Sequence, residues 1–555
     1  MSEREDKQNR GWRSWLVFLA LCISLFLTAL DLASISTALP AIVHDLGGSE
    51  SFTWVSSAYT LACTAVLPIS GRAADIFGRR TVLLVAVMLF AAGSAVTGAA
   101  ASMNMMIAGR TIQGIGSGAI QVLVSIVTAD LIPLKERGLF QSFTGATFSL
   151  ASVIGPFIGG AIAQHMSWRW YSLLIDLNLP LCVIAFVLVL VFLRLRKPHI
   201  ESYAEAFLTL DWVGNLMIIG GATSCIVALT WAGVSFPWSS APVIAPLAIG
   251  LVCLPMALVY EALLATHAPQ IPLSIVNNRT SASGYIGSFL HGLVVNSVPS
   301  DCMYSPTYFQ GAKAASPLRS GLYILPAALF LSPSAIVQGI VISKTGRYRL
   351  VNIIGWCAML LGMGLLTLLK ESTPVAVTIP MQIIVAVGFG FLYATTFSVL
   401  APLDPVNNSA ALSLLLFVRT FSVSWGISIS AMILQNQLQH HLPDAFLQLV
   451  PPNHDIAYSS IPIIQTLPQP LQTEVREAFA SSLKLVWQVL LAFCGAGLLS
   501  ATMQKQIALH DKMDDRWGLE QVTKEKDSEM PPVVAGEVVG TVESTVGVDI
   551  TRMQA

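Results

Sequence analysis

Long apolar runs alternate with short polar segments along the whole chain. The hydrocarbon core of a bilayer needs roughly 20 apolar residues to be crossed by a helix. Each run is continuous in hydrophobicity and does not alternate between apolar and polar positions, which predicts helices and argues against a β-barrel. The pattern predicts fourteen spans, near residues 15–39, 54–71, 81–100, 105–131, 139–164, 169–193, 211–232, 241–263, 281–309, 320–343, 350–369, 376–401, 409–436 and 484–503.

The composition is that of a polytopic helical membrane protein. Hydrophobic residues make up 54% of the 555 positions and charged residues 11%, whereas a soluble chain carries about 25% charged residues. The opening segment "MSEREDKQNRGWR" has no small-residue cleavage site. Because the first apolar run is also too long for a signal peptide, we interpret it as a retained helix. The eight cysteines are scattered without a CxxC pair, a pattern typical of apolar packing residues.

The positive charges fall mainly on one side of the predicted membrane. An even number of spans puts both termini on the same side. If that side is the cytoplasm, 22 of the 30 Lys and Arg residues face it and six face the outside. Arg110 and Arg419 lie inside spans. Because short cytoplasmic loops are enriched in Lys and Arg, we predict that both termini are cytoplasmic.

The spans divide the chain into two bundles of six helices with an insertion between them. We predict a cytoplasmic N-terminal segment, a first bundle, a linker with two extra helices, a second bundle and a tail, at 1–14, 15–193, 194–280, 281–503 and 504–555. The second bundle contains an external loop at 437–483 that is rich in proline and apolar residues. That loop is either a lid over the outer mouth or a variable linker. The tail has no helical periodicity and is predicted to be disordered.

A polar segment between the second and third spans has a counterpart in the second bundle. Residues 71–80 read "GRAADIFGRR" and residues 339–348 read "GIVISKTGRY". Gly71 aligns with Gly339, Gly78 with Gly346 and Arg79 with Arg347 at identical spacing, and each segment joins the second and third helix of its bundle. The repeat predicts two halves in parallel orientation, an arrangement known among transporters.

The first of these segments is predicted to be a short cytoplasmic loop with a gating role. Its glycines permit a tight turn and close helix approach, and Arg72, Arg79 and Arg80 keep it on the cytoplasmic side. Asp75 can cap a neighbouring helix or pair with a basic group, and such a contact can lock the halves in one state. The alternative is a simple stop signal for membrane insertion with no gating role.

The segment "GRAADIFGRR" resembles the signature loop of the major facilitator superfamily, and five other stretches narrow the resemblance. They are "LDLASISTALPAI" at 30–42, "RTIQGIGSGA" at 110–119, "GPFIGGAIA" at 155–163, "WRWYSLLIDLNLP" at 168–180 and "YFQGAKAASPLRSGLYILP" at 308–326. Together they resemble the branch of fourteen-span drug:proton antiporters, with fungal toxin and multidrug efflux members nearest, over residues 15 to 503. The sequence departs from the family pattern at Ser343, which replaces the counterpart of Asp75, and at Ala151.

Three ionisable residues of the first half are candidates for proton coupling. The sequence has no G-x-x-x-x-G-K-[ST] loop for phosphate, so energy would come from a gradient, and ionisable groups inside spans are functional candidates. Asp31, Arg110 and Asp176 all lie roughly 8–14 Å from the outer face. A proton on either acid would change its pairing with Arg110 and bias two states; the alternative is a static ion pair. Gln113 and Asn178 are candidates for the cavity lining, and the resemblance supports Asn178 and not Asp176.

The second half and the fifth helix supply further candidates. His291 can titrate near neutral pH or act as a hydrogen-bonded packing residue. Arg419 resembles an arginine of the antiporter branch, and the resemblance implies contact with an anionic substrate group. The fifth-helix antiporter motif contains a set of small or helix-bending residues that suit a rocking interface or ordinary tight packing: Gly155, Pro156, Gly159 and Gly160.

The sequence, together with its resemblance to the antiporter branch, predicts a proton-coupled transporter of small amphipathic organic compounds that works by alternating access; export is what the fifth-helix motif and the resemblance imply. Its partners are the substrate, protons and the lipid bilayer, and we predict no nucleic acid, cofactor, metal or enzymatic activity. We predict a monomer in the plasma membrane, with the vacuolar membrane as the alternative. Two other functions stay open: a transporter of siderophores or vacuolar basic amino acids in the same fold, and a membrane sensor or receptor that does not transport.

Overall fold

Fourteen helices of 17 or more residues account for most of the part of the chain that the computed structural model describes. That part comprises residues 12–46, 53–165, 172–195, 210–233, 236–264, 271–295, 307–449, 456–514 and 516–517. For some helical residues the structure describes the backbone but not the side chain. These are residues 34–45, 53, 152, 153, 156–165, 172–177, 317, 318, 457–459 and 462.

The first half contains six helices and the insertion contains two. The first six are α1 (Trp12–Leu46), α2 (Thr53–Phe77), α3 (Arg79–Gly98), α4 (Met103–Leu131), α5 (Arg137–His165) and α6 (Ser172–Phe192). The inserted pair is α7 (Trp212–Trp231) and α8 (Ala241–Leu263). Polar side chains begin two of these helices by accepting a backbone N–H, as N-caps do: Ser102 before α4 and Asp211 before α7.

The second half contains another six long helices. They are α9 (Arg279–Val295), α10 (Pro317–Thr345), α11 (Tyr348–Leu366), α12 (Val375–Phe391), α13 (Asn408–His441) and α14 (Leu471–Met503). A 3-10 turn, Leu392–Ala394, joins α12 to a short continuation, Thr395–Leu400. In lipid, every backbone N–H and C=O must be satisfied within the chain, which explains why these apolar runs are helical.

Ten of the described helical segments are long and apolar enough to cross a membrane. They lie in α1, α3, α4, α7, α8 and α10 to α14. The helix α2 is not among them, because it contains several hydroxyl residues and ends in the charged residues Arg72 and Asp75. The all-helical fold is as predicted. The number of fourteen spans and the cytoplasmic position of the termini stay predictions.

The two halves meet mainly through two pairs of crossing helices. Within the first half α3 and α2 pack on α4, and α1 packs on α5 and α6. Within the second half α11 packs on α12 and α14, and α9 packs on α13. Between the halves, α5 packs against α10 and α2 against α13. The inserted helices α7 and α8 pack on each other, and α7 also contacts α2 and α13.

The polar segment at 71–80 differs from the predicted loop. The helix α2 continues through Asp75 to Phe77, and α3 begins at Arg79, so one residue separates them. That residue, Gly78, has φ 86°, a positive value that glycine adopts readily and that makes the abrupt reversal possible. Its counterpart Gly346, between α10 and α11, has φ 66°. The aligned glycines therefore both have a positive φ at the equivalent junction, although their ψ angles, 143° for Gly78 and 2° for Gly346, give turns of different shape.

The predicted external loop at 437–483 is shorter in the structure. The helix α13 extends to His441 and α14 begins at Leu471, well before the apolar window near 484–503. The early turns of α14 are amphipathic, and Val475, Phe479 and Leu483 follow one another at helical spacing and are fully buried. A search for continuous hydrophobicity overlooks such a helix. Two short helices, Asp444–Leu447 and Ile456–Ile464, lie in the remaining segment.

The beginning of the predicted disordered tail is packed against the two bundles. Residues 504–514 and 516–517 follow α14, and Trp517 is only 7% exposed. Ile507 and Leu509 pack against buried apolar residues of the bundles. Specific hydrogen bonds, described below, explain why this polar stretch is ordered despite its lack of helical periodicity.

Candidate functional site

A buried hydrogen-bond network joins α1 and α4 in the first half. Arg110 Nη1 lies 2.5 Å from Asp31 Oδ2 and donates to Gln113 Oε1 at 2.7 Å. Gln113 Nε2 donates in turn to Asp31 Oδ1 at 2.8 Å. Arg110 and Gln113 are fully buried, and Asp31 is 8% exposed. The structure thus brings together three of the residues that the sequence singled out.

Residues that the sequence analysis missed complete the surroundings of Arg110. The guanidinium carbon lies 4.2 Å from the ring centroid of Tyr59, and Arg110 Nε donates to Val55 O at 3.3 Å. Gln113 Nε2 also donates to Ser94 Oγ at 2.7 Å. Single Tyr and Ser residues in apolar helices carry no sequence signal, because only the fold shows which face they occupy.

The chemistry of this network depends on the charge of Asp31. An ion pair of this kind compensates two charges whose burial would otherwise be costly. A proton on Asp31 removes the negative partner of Arg110, while Gln113 and Val55 O still accept from the guanidinium. Arg110 Nη2 has no hydrogen-bond partner within the described residues, so the arginine has capacity to pair again. The arrangement can therefore respond to a proton by changing which groups pair.

The candidates on α6 are not part of the described network. The side chain of Asp176 lies outside the described residues. Asn178 is buried, and its Oδ1 has no hydrogen-bond partner in the described part of the chain. The predicted grouping of Asp176 with Asp31 and Arg110 thus stays a prediction.

Two candidates of the second half share an aromatic environment. The guanidinium carbon of Arg419 lies 4.5 Å from the ring centroid of Tyr393 and 6.0 Å from that of Phe389. The ring centroid of His291 lies 4.4 Å from that of Phe389 and 6.2 Å from that of Tyr393. His291 is buried, and its Nε2 has no partner among the described residues.

The two arginines inside spans differ in how their positive charge is neutralised. Arg110 is fully buried and paired with Asp31. Arg419 is half-buried, and within the described ranges no carboxylate lies in ion-pair distance of it. Aromatic faces offset part of the cost of such a charge, and they leave the N–H edge of the guanidinium for another acceptor.

A second charged cluster lies where α2 meets α3. Arg79 is 2% exposed, and its Nη1 donates to Asp75 Oδ1 at 2.5 Å. Arg79 Nε donates to Asp130 Oδ2 at 3.0 Å, which joins this turn to the end of α4. Arg72 Nη1 lies 3.9 Å from Asp75 Oδ2, and Arg80 donates to the backbone of α6 at Leu190 O. Asp130 was missed by the sequence analysis although it is an acid within an apolar run.

The halves are in direct contact at this same end of the bundle. Ser409 Oγ of α13 donates to Gly71 O of α2 at 3.1 Å. At the other crossing, Ser142 Oγ of α5 donates to Ala335 O of α10 at 2.8 Å. A Cβ added to Gly339 would lie 1.9 Å from Ser142 Oγ. The aligned residues Gly71 and Gly339 therefore serve equivalent crossings, and this end is closed.

The fifth-helix motif is only partly described. Gly155 is buried within α5. Pro156, Gly159 and Gly160 also belong to α5, but their surroundings lie outside the described residues. The role of this motif stays a prediction.

Comparison with known proteins assigns the family. A model of the major facilitator superfamily matches residues 21–431. The chain belongs to this superfamily. Efflux pump FUS6 of Gibberella fujikuroi is 36% identical over 523 residues, which cover 93% of each chain. The acurin A biosynthesis cluster MFS-type transporter of Aspergillus aculeatus is 36% identical over 530 residues, covering 93% of this chain and 94% of its own.

Solved structures of the superfamily share the fold of this chain. The proton:xylose symporter XylE, bound to 6-bromo-6-deoxy-D-glucose, aligns with a TM-score of 0.54 and 14% identity. The alignment covers 90% of this chain and 98% of the symporter. This major facilitator protein is a multi-pass membrane transporter of small molecules, and its relatives include fungal efflux pumps.

Proposed function

We propose that this transporter is a proton-coupled exporter of small amphipathic organic compounds. The observation that carries the proposal is the buried contact between Asp31 and Arg110, with Gln113 bridging the two. A gradient-driven transporter needs a group whose charge changes within the membrane, and Asp31 is a carboxyl group with limited exposure. The names of the relatives, which are efflux pumps, support export.

In the proposed cycle, protonation of Asp31 alters the balance between two states. While Asp31 is ionised, it holds Arg110 and ties α1 to α4. A proton from the outside weakens that tie, and the halves then separate at the end where α2 meets α3. That end faces the cytoplasm in the proposed orientation, so the substrate enters as the proton leaves. Alternating access of this kind needs the proton to favour one state over the other.

The environment of Arg419 supports a contact with the substrate. A cation without a carboxylate partner in the described part of the chain attracts an acidic or strongly accepting group. The adjacent rings of Tyr393 and Phe389 suit a flat, conjugated portion of the same molecule. A positive charge here disfavours basic amino acids, which is why we place the vacuolar alternative second. We further propose that the protein acts as a monomer in the plasma membrane.

Inside-out vesicles test the proposed function. An interior-acid gradient should drive accumulation of amphipathic compounds, and a protonophore should collapse it. Vesicles from cells that lack the protein are the control. Accumulation that is insensitive to the protonophore would contradict proton coupling. If no compound accumulated, a siderophore transporter or a sensor would be favoured instead.

Replacing Arg419 with glutamine tests the substrate contact. We expect the KM for an acidic amphipathic compound to rise about tenfold or more, because hydrogen bonds to charged groups are worth about 1.5–3 kcal/mol. The KM for its methyl ester should change little. Arg319→Gln, at an exposed position in the first turn of α10, is the matched control. Equal effects on the acid and the ester would show that Arg419 does not recognise the acidic group.

A further inference from the structure

The segment that follows α14 is anchored firmly to the second half. Gln504 Oε1 accepts from Asn352 Nδ2 at 3.1 Å and from Ser398 Oγ at 2.8 Å. Tyr348 OH donates to Lys505 O at 2.7 Å. Asn352 is fully buried, so these bonds are shielded from water. The first residues of the segment are thereby fixed to α11 and to the end of α12.

The anchoring continues along the segment. Ile507 N donates to Tyr348 OH at 3.0 Å, and Gln506 Nε2 donates to Gly346 O at 2.6 Å in the turn between α10 and α11. Near the other end of the segment, Arg516 Nη2 donates to Val406 O, just before α13, at 3.4 Å. The segment thus contacts the second half at both ends.

The same segment also reaches the first half. The guanidinium carbon of Arg79 lies 3.7 Å from the ring centroid of Trp517. Lys135, between α4 and α5, lies 3.8 Å from Asp511. This second contact is exposed and therefore weak. Trp517 is the main contact, because it is nearly buried and covers an arginine that also holds Asp75 and Asp130.

A tight local turn presents Trp517 to Arg79. Trp517 N donates to Asp514 O at 3.0 Å, and Arg516 Nε donates to Asp514 Oδ1 at 2.9 Å. Burial by itself would raise the pKa of Asp514, but the hydrogen bonds from Arg516 outweigh it and lower the pKa. The turn therefore carries a charged, well-satisfied carboxylate that fixes the position of the tryptophan.

We propose that residues 504–514, together with Arg516 and Trp517, form a latch that holds the two halves together at the end where α2 meets α3. The segment is bonded to the second half, whereas its tryptophan stacks on Arg79 of the first half. Because separation of the halves at this end moves Arg79 away from the second half, the stacking contact must break for that end to open. The latch thus stabilises the closed end and sets how readily the transporter opens there.

To test the latch, we would measure how readily a reagent reaches a residue that is buried while the crossing of α5 and α10 is closed. Ser142→Cys, in the full chain, places a thiol at a position that is 2% exposed and distant in sequence from the latch. The rate of its alkylation by a hydrophilic maleimide, resolved by mass spectrometry, reports opening. Trp517→Ala should raise that rate about three- to tenfold, the change expected from losing a partly desolvated cation–π contact.

Two further variants in the Ser142→Cys background make the test specific. Trp517→Phe retains a ring over Arg79 and should react at a rate close to that of the unaltered segment. Met513→Ala changes an exposed residue of the same segment and should have no effect. Melting temperatures confirm that each variant is folded. Equal alkylation rates with Trp517→Ala and with the unaltered segment would contradict the latch. The same holds if neither protein reacts.

Discussion

Asp31→Asn is expected to reduce gradient-driven uptake into inside-out vesicles to the level seen with a protonophore. Asparagine has nearly the same shape and can still hydrogen-bond to Arg110 and Gln113, but it cannot gain or lose a proton. The variant therefore removes coupling while it keeps much of the packing between α1 and α4. Uptake of one fluorescent substrate, measured with and without the gradient, gives the result.

The variant should also lower stability, because it leaves Arg110 without its counter-ion. Removing one member of a buried ion pair costs about 3–5 kcal/mol, and the asparagine amide recovers part of that cost. A melting temperature and the amount of protein in the membrane separate this effect from the loss of coupling. Without those measurements, lower uptake could reflect a smaller amount of protein.

Two control variants are needed to interpret the effect of Asp31→Asn on uptake. Asp444→Asn makes the same chemical change at an exposed position and should leave uptake unchanged. Asp31→Glu retains a titratable group and should keep part of the gradient dependence. If Asp31→Asn transports with full gradient dependence and is only less stable, the pair with Arg110 is a static link between helices, and proton coupling resides elsewhere.

The pairing of Asp31 with Arg110 could be anticipated because both lie at a similar depth along their helices. Depth follows from counting residues at 1.5 Å per residue. Which residues surround them could not be anticipated, because that depends on how α2 and α3 are rotated about their axes. Tyr59 and Ser94 are consequently visible only in the fold, whereas Gln113 lies one turn from Arg110 on the same helix.

The internal repeat predicted more of the geometry than any single motif did. Gly78 and Gly346 both have a positive φ between the second and third helix of their half, and Gly71 and Gly339 lie at equivalent crossings. The repeat also predicted an asymmetry. Ser343 replaces the acid, and within the described residues Arg347 has no ion-pair partner, whereas Arg79 has two.

Trp517 and the first turns of α14 escaped prediction for a common reason. Both belong to stretches that are polar on average, and their order comes from a few buried side chains. Trp517 stacks on an arginine that is distant in sequence. Val475 and Phe479 occupy one face of an amphipathic turn. Average hydropathy does not register either arrangement.

Gly339→Ala is expected to slow transport by about fivefold or more by preventing closure at the crossing of α5 and α10. The new Cβ would lie 1.9 Å from Ser142 Oγ and 2.2 Å from Gly138 O. Because one of these atoms belongs to backbone, the helices must move apart. Overpacking of this kind costs about 1–3 kcal/mol, which corresponds to a shift of roughly 5- to 150-fold toward the open end.

The reporter for this variant is placed at the other crossing. Ser409→Cys, which is 3% exposed beside Gly71, should be alkylated faster in the Gly339→Ala protein than in its parent. Gly321→Ala, on the same helix and with no atom within 4 Å of the added Cβ, should change neither transport nor labelling. A faster reaction at Ser409→Cys would mean that the two crossings open together, as a rigid movement of one half against the other requires. If Gly339→Ala impairs transport while labelling stays unchanged, the two crossings open independently, and the halves do not move as rigid bodies.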